Sequence, residues 1–449
     1  MARVYPFRAL RYNPSLVKLE DVVTQPYDKI TPAMQQAYYQ RSPYNLVRII
    51  LGLPELFDSR QDGEADADIY TRAARDFRDW RKDGVLSQES EPSIFAYSQR
   101  FAVPGKAGAV KERHGLIALG ELYDYDEKVI FRHEQTLSKP KSDRLNLLRA
   151  TRAHFGQIFM LYSDPGLSVE RLLFNAGQSM AAPDIEVTDE FEVTHRVWRV
   201  SDPAVINLVT TALEDKKLII ADGHHRYETA LSYGQERSPK EPAAQAERNS
   251  YSQPQPPYPE AAVMMTLVNM DSEGLVILPT HRVVHGLKSF SPAAWLERAQ
   301  AYFDIQPVAE SDPSLLLAKL DAVKDRTAFV CVTAAGSSLL TAKAEAKVLE
   351  KFSPRQRQLD VVHLHAVVLE ELLGLSPEAI REQANLRYVR DAGEAIAQVQ
   401  EREADVAFLI RPVTLDQLRE VAFAGEVMPQ KSTDFYPKLL SGLTIYALD

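Results

Sequence analysis

The chain has 449 residues, with 52 Lys+Arg against 62 Asp+Glu, a formal charge of −10 at pH 7, and it is 45% hydrophobic and 25% charged. An acidic total gives no general attraction to nucleic acid or anionic membranes, which depends on a basic surplus, so neither partner is expected. The composition is that of a folded chain rather than a disordered one, and at about 150 residues per domain the length indicates two or three domains.

Arg3, Pro6, Arg8 and Arg11 break up the first dozen residues, so no secretory leader is expected, and no apolar run approaches the ~18 residues of a membrane span. A cytoplasmic location follows as the expectation. Pro6, Pro14, Pro26, Pro32 and Pro43 punctuate a mixture of loops and strands that ends in the apolar run Leu46 to Leu51, which reads as a strand closed by Gly52 and Pro54. Ile69, Ala73, Phe77 and Trp80 then fall on one helical stripe, with Gly84 as the stop. Ile94 to Tyr97 and Gly115 to Gly120 read as paired strands around a turn at 104–108. Ser142 is a candidate cap for a helix carrying Leu145 and Leu148, and Ile158 to Tyr162 returns as a strand.

Residues 235–259, rich in Pro, Gln, Ser and Ala, read as a flexible surface insertion. Beyond Ser291 the pattern predicts a helix, strands over 327–333 and 338–344, an amphipathic helix over 359–373, and a strand at Ala407 to Ile410. The single cysteine, Cys331, lies in the first of these strands and reads as a buried thiol, which excludes an intrachain disulfide framework. Strands and helices mix without regular βαβ alternation, so the fold class is α+β, with a second, smaller α/β domain. The expected division is 1–289, 290–424 and a C-terminal loop and strand, 425–449, returning to the main domain.

The most informative local pattern is Lys217-Leu-Ile-Ile-Ala-Asp222-Gly223-His224-His225-Arg226-Tyr227. An apolar strand runs into a tight turn, and a helix begins at once. The first helical turn presents unpaired N–H groups and a positive dipole end, here joined by two imidazoles and a guanidinium, which suits an anion. Gly223 lets backbone approach a phosphate, and Arg226 offers a bidentate fork. Asp222 opposes that trend unless it caps the helix, binds a metal or takes a proton, while for His224 and His225 ordinary hydrogen bonding at a helix start is the plain alternative.

Further on, Lys431, Ser432, Thr433 and Lys438 between Pro429 and Pro437 form a candidate second anion clamp, or simply a turn pinning the C-terminus. In His133-Glu134-Gln135-Thr136, Glu134 is a candidate general base or Mg²⁺ ligand. Leu137 stands where a zinc-protease helix needs its second histidine, which closes that route. His281 and His285 have a spacing that puts both rings on one face, but no third ligand is identifiable. His365 shares an apolar stripe and reads as packed near a core. Gln25-Pro26-Tyr27-Asp28 and Ser42-Pro43-Tyr44-Asn45 are Pro-Tyr turns. Should the first border a pocket, Asp28 is its acid and Tyr27 a stacking platform. No Walker, Rossmann or nucleophile-elbow motif occurs.

Ala221-Asp-Gly-His-His-Arg-Tyr-Glu228 resembles the phosphate-binding turn of the ParB/sulfiredoxin superfamily, and its wording is closest to that of the ADP-dependent free serine kinases. His224 stands where sulfiredoxins carry their reactive cysteine, so sulfiredoxin chemistry is excluded. Over nearly its whole length the chain also resembles a bacterial and archaeal family catalogued as domain of unknown function 1015. That likeness is carried by Gln25 to Asp28, Ser42 to Asn45, His133 to Thr136, Asp143-Arg144, the turn, Leu278 to Arg282, and Met428 to Lys438.

These resemblances imply a ParB/sulfiredoxin-like mixed-sheet domain at the N-terminal end. The preferred function is a nucleotide-dependent phosphotransferase acting on a small hydroxyl-bearing metabolite. Its phosphates would be held by Gly223, His224, His225, Arg226, Lys431, Ser432, Thr433 and Lys438. Glu134, Asp28 or Asp222 would do acid–base work, and His133, His281 and Arg144 would complete the pocket. The implied cofactor is Mg²⁺ with ATP or ADP, and the partner is a small phosphate ligand. The rivals are a ParB-like nucleotide-binding switch or scaffold without transferase activity, and a plain interaction module.

Overall fold

A computed structural model of the chain describes residues 2–53, 68–134, 139–174, 181–239, 253–343 and 346–449. The chain divides into two compact units, Met1–Phe131 with Thr136–Val276 and Pro437–Asp449, and Arg132–Gln135 with Ile277–Tyr436. The division thus falls at 276/277 and 436/437 rather than near 290 and 424, and the strand His281–Val284 belongs to the second unit. Most of the expected insertion, 240–252, lies outside the described residues, as do Gln135 and Thr136. Among the described residues no helix is long and apolar enough to cross a membrane.

The first unit is organised by a nine-stranded mixed sheet. Ile94–Ala102 and Val110–Glu121 pair antiparallel with Phe95 opposite Ile117, as the alternation predicts. Ala262–Asn269 follows antiparallel on Val110–Glu121, then Ile158–Tyr162 parallel to it, then Leu218–Asp222 antiparallel, then the short Ile130–Phe131. Ile158–Tyr162 and Ala262–Asn269 are buried along their whole lengths, which is why they read as continuous apolar runs rather than alternations. Each fully buried aliphatic side chain in this core contributes roughly 1.5–3 kcal/mol through loss of water contact.

Two local expectations fail for physical reasons. Leu46 to Leu51 is not a strand, because Val47–Ile50 is a short helix. The Asn45 side chain accepts from Val47 N–H and donates to the Asp21 carbonyl, so the turn is fixed at its entrance. Leu46, Ile49 and Ile50 bury against Phe77 and Trp80. A short apolar run fits a buried helix as well as a strand, and packing decides. The next helix, Ile69–Lys82, is capped by Asp68, which accepts from Tyr70 and Thr71 N–H. The helix Lys139–Thr151 begins three residues before Ser142, so Ser142 is not its cap.

The second unit holds a six-stranded sheet in the order Phe303–Val308, Gly336–Ala342, Ala328–Thr333, Val406–Leu409, His281–Val284, Leu386–Val389. Helices and strands alternate along the sequence as an α/β segment would, yet every pairing is antiparallel. Leu316 and Leu320 of one helix and Ala395, Ile396 and Val399 of another pack on this sheet. Cys331 is buried in its strand, and burial pushes its thiol pKa up, so it is an inert core group. The expected helix over 359–373 is Asp360–His363 continued by a π-helical stretch, Leu364–Leu372. It is buried on nearly every side rather than amphipathic.

Candidate functional site

In the first unit, the strand Leu218–Asp222 shifts register between Ile220 and Asp222, a bulge that re-aims the acid at the strand's end. Gly223 follows with φ +94°, a left-handed conformation, and His224–Arg237 starts directly after it. The left-handed backbone is what favours glycine here, and a Cβ would in addition press on the Arg226 guanidinium at 3.0 Å. Asp222 stands one residue before the N-cap, Gly223, and faces cations of the site. Its carboxylate lies 3.3 Å from Arg226 Nη2 and 3.9 Å from Lys438 Nζ.

Burial alone would raise the Asp222 pKa, but Lys438, Arg226, Lys29 and His224 together hold it far below the usual carboxylate range. An acid held so firmly ionised is a poor general base near neutral pH. Three cations, Lys438, Arg226 and Lys29, from three separate stretches therefore meet at one helix start beside the His224 ring. Arg226, however, is not a free fork. Its Nη1 donates to the Gln157 carbonyl while Nη2 faces Asp222, so it ties the turn to the adjacent strand.

Lys438 arrives from the C-terminal segment with its side chain only 9% exposed, and a buried network sets its place. Gln99 Nε2 donates to the Lys438 carbonyl at 2.8 Å, Arg113 Nη2 donates to the Pro437 carbonyl at 2.6 Å, and Arg113 Nε donates to Gln99 Oε1 at 3.1 Å. Arg113 stacks on Phe159 at 4.7 Å, and burial lowers its pKa to about 10. Tyr97 hydroxyl is hydrogen-bonded to His195 Nδ1 at 2.7 Å, and His195 Nε2 lies 3.1 Å from Asp189 Oδ2, which also accepts from Gln25 Nε2 at 3.0 Å. One buried chain thus braces both Lys438 and the Gln25-Pro26-Tyr27-Asp28 turn.

That N-terminal turn does border the site. Burial, and after it the Asp28 charge, raise the Tyr27 pKa, opposed by Arg226 and Arg144. Arg144 stacks on the Tyr27 ring at 4.1 Å, donates to the Ile50 carbonyl at 2.7 Å and pairs with Asp143. Tyr27, Arg144, Phe155, Gly156, Arg226 and Ser441 line a cleft of about 70 Å³, room for a few waters. Asp28 is exposed beside it, in the turn Tyr27–Lys29.

Glu134, His133, His281, Lys431, Ser432 and Thr433 lie in the second unit. Glu134 Oε1 accepts from Ser432 N–H at 3.0 Å and from Thr433 N–H at 3.3 Å, while Lys431 before them has φ +57°. Successive N–H groups around a left-handed residue form an anion-binding concavity, and here the chain's own carboxylate fills it. Ser432 hydroxyl donates to the Pro429 carbonyl at 2.5 Å, and Thr433 hydroxyl is hydrogen-bonded to the buried His133 ring at 2.7 Å.

His281 is buried, its Nδ1 accepts from Ile410 N–H at 3.2 Å, and burial next to Arg282 lowers its pKa to about 4. This neutral ring serves the sheet. Next to it, the buried Arg282 donates to the carbonyls of Thr280 and Lys431, lies 3.3 Å from His365 Nε2 and sits over the Tyr388 ring. Among the described residues no cluster of three His, Cys, Asp or Glu side chains fits a metal ion.

Sequence reading singled out Asp222, Gly223, His224, His225, Arg226, Asp28, Arg144 and Lys438, and these lie in the first unit, at or beside the helix start His224–Arg226. It missed Lys29 and the brace of Gln99, Arg113, Asp189 and His195. Lys29 had a signal, adjacency to Asp28; the brace had none, because its members look like ordinary strand residues.

The family described as "Protein of unknown function (DUF1015)" matches residues 4–362. No curated protein matches significantly. Among solved structures the chain is similar to a conserved hypothetical protein from Pyrococcus furiosus, at 13% identity over 68% of this chain and 87% of that one, with a TM-score of 0.34. It is also similar to a free serine kinase in complex with AMP, at 14% identity over 68% and 83%, TM-score 0.34. A third likeness is to SbnI with C-terminal truncation from Staphylococcus aureus, at 12% identity over 72% and 85%, TM-score 0.34. Scores this low leave the functional reading to the residues.

Proposed function

We propose that this chain, which belongs to the DUF1015 family, binds a phosphate group of a small molecule at the helix start His224–Arg226 and works as a nucleotide-dependent phosphotransferase on a hydroxyl-bearing metabolite. The observation that supports this reading is the charge balance at Asp222. Lys438, Arg226 and Lys29 bring three permanent charges to one carboxylate, and even with the exposed Asp28 counted a surplus remains. That surplus sits at the positive end of a 14-residue helix. Phosphoryl transfer asks mainly for positioning and charge neutralisation of this kind. Lys438 takes the role of phosphate contact, and Asp28 is the base offered to the acceptor hydroxyl. Glu134 leaves that role, since its carboxylate serves the 431–433 turn. The same proposal covers a ParB/sulfiredoxin-like first unit, supported by the wording of the turn.

Asp222 does not fit a protein-held Mg²⁺, because two cations already compensate its carboxylate and a third would repel them. ATP or ADP is the proposed donor, any Mg²⁺ coming with its phosphates. The 70 Å³ cleft favours one further reading, a nucleotide-binding switch, since it must widen to admit a nucleotide. Incubating the protein with ATP or ADP and pooled hydroxyl metabolites distinguishes them. A phosphorylated product supports the transferase; nucleotide binding without any product selects the switch.

A further inference from the structure

A different cleft, wholly within the second unit, is open for a ligand of its own. It encloses about 740 Å³, within the roughly 300–1,000 Å³ range of small-molecule sites. It lies where the strand Ala328–Thr333 begins and the strands Gly336–Ala342 and Val406–Leu409 end, between the turn at 324–327 and Thr414, the cap of the helix Leu415–Phe423. Five cationic side chains line it, Lys324, Arg326, Lys343, Arg357 and Arg411, against two carboxylates.

One of those carboxylates is already spent within the wall. Asp360 is held on both oxygens by Arg411, at 2.8 Å to Nε and 3.0 Å to Nη2. Arg411 also donates to the Arg326 carbonyl at 2.6 Å, which fastens the cation-bearing turn to the wall. Lys324, Arg326 and Lys343 are exposed. Arg326 pairs with Asp304 at 3.3 Å, an exposed pair weak enough for a ligand to displace, and also donates to the Ala342 carbonyl at 3.1 Å. Lys343 Nζ donates to the Gln300 carbonyl, and these neutral carbonyl acceptors cancel neither positive charge at the cleft. Apart from His363, no aromatic ring lines the cleft among the described residues, and His363 is hydrogen-bonded to the Arg357 carbonyl at 2.7 Å. The described lining thus offers no aromatic platform for a base beyond that ring.

We propose that this cleft is a second binding site, for a small, non-aromatic polyanion carrying at least three negative charges as phosphate or carboxylate groups. Concave walls and an overall charge of −10 favour a compact ligand over a nucleic-acid strand.

The test titrates inorganic tripolyphosphate, citrate and a single-stranded oligonucleotide calorimetrically into the full-length chain. Lys438→Ala serves as the host, so that the first unit's proposed phosphate site does not contribute. Saturable binding of tripolyphosphate or citrate is expected, weakening as salt rises, and falling at least about tenfold when Lys324→Ala, Arg326→Ala and Lys343→Ala are added. The two small probes separate a phosphate from a carboxylate ligand. The three substitutions are at the surface; Lys324→Glu alone, expected to weaken binding by charge reversal, guards against a folding artefact. Absence of saturable binding of either small anion, undiminished affinity in the triple variant, or binding of the oligonucleotide alone would each overturn the proposal. A first-unit site that binds nothing leaves this result untouched.

Discussion

Two carboxylates, Asp222 in the first unit and Glu134 in the second, each stand beside a short run of cationic and hydroxyl residues that looks built for an anion. Their surroundings use the same chemistry in opposite ways. Glu134 accepts two backbone N–H groups and so becomes the anion of its own turn. Asp222 faces the cations Arg226 and Lys438, which with Lys29 overcompensate its charge. A concentration of donors marks a ligand site only where the chain has not already satisfied it.

The comparison breaks most visibly in the second unit. Arg282→Ala strands the carbonyls of Thr280 and Lys431 and empties a large buried side-chain volume, so a loss of about 3 kcal/mol or more is expected in urea unfolding. Glu134→Ala leaves two turn amides without their acceptor and should cost about 1–3 kcal/mol. It should do so without changing any nucleotide-induced shift in Tm. A Glu134→Ala protein of normal stability that no longer responds to nucleotide would move Glu134 into the ligand site and erase the contrast.

In the first unit, Gly223→Ala forces a left-handed backbone on a residue with a Cβ that meets Arg226, an expected cost of about 1–2 kcal/mol together with a reduced ligand response. The smallest effect is on pH dependence. The folded pKa of Asp222 lies below its unfolded value of about 4, so its stabilising charge interactions are complete above that pH and are lost as pH falls below it. Urea midpoints of wild type and Asp222→Asn should therefore converge between about pH 5 and pH 2. A gap that stays constant on acidification would show that the cations do not act through the ionised carboxylate.

Legibility in the sequence followed the range of the interactions. The strand–turn–helix at 218–237 was readable, because alternation, Gly223 and the helical stripe are local signals. The paired strands at 94–121 were readable for the same reason. Val47–Ile50 was misread because its burial against Phe77 and Trp80 is a tertiary fact. The antiparallel order of the second sheet depends on pairings between residues as distant as Val283 and Ala407, which no periodicity records. At the site, sequence placed Ser432 and Thr433 beside Lys438 as one clamp. The structure commits both hydroxyls, to Pro429 and His133, and brings Lys438 to Asp222 from more than 200 residues away. Arg226 shows the converse error, a motif arginine occupied by the Gln157 carbonyl.

The central claim, that surplus cations at Asp222 hold a phosphate, rests most directly on Lys438, which the C-terminal segment brings to that carboxylate. The decisive measurement is the change in Tm on adding ADP or ATP with Mg²⁺ to wild type and to Lys438→Ala. At 100 times its dissociation constant a ligand adds about 2.7 kcal/mol of apparent stability, so a clear rise is expected for wild type and little or none for a folded Lys438→Ala. No rise in wild type with either nucleotide, or an equal rise in both proteins, would contradict the account.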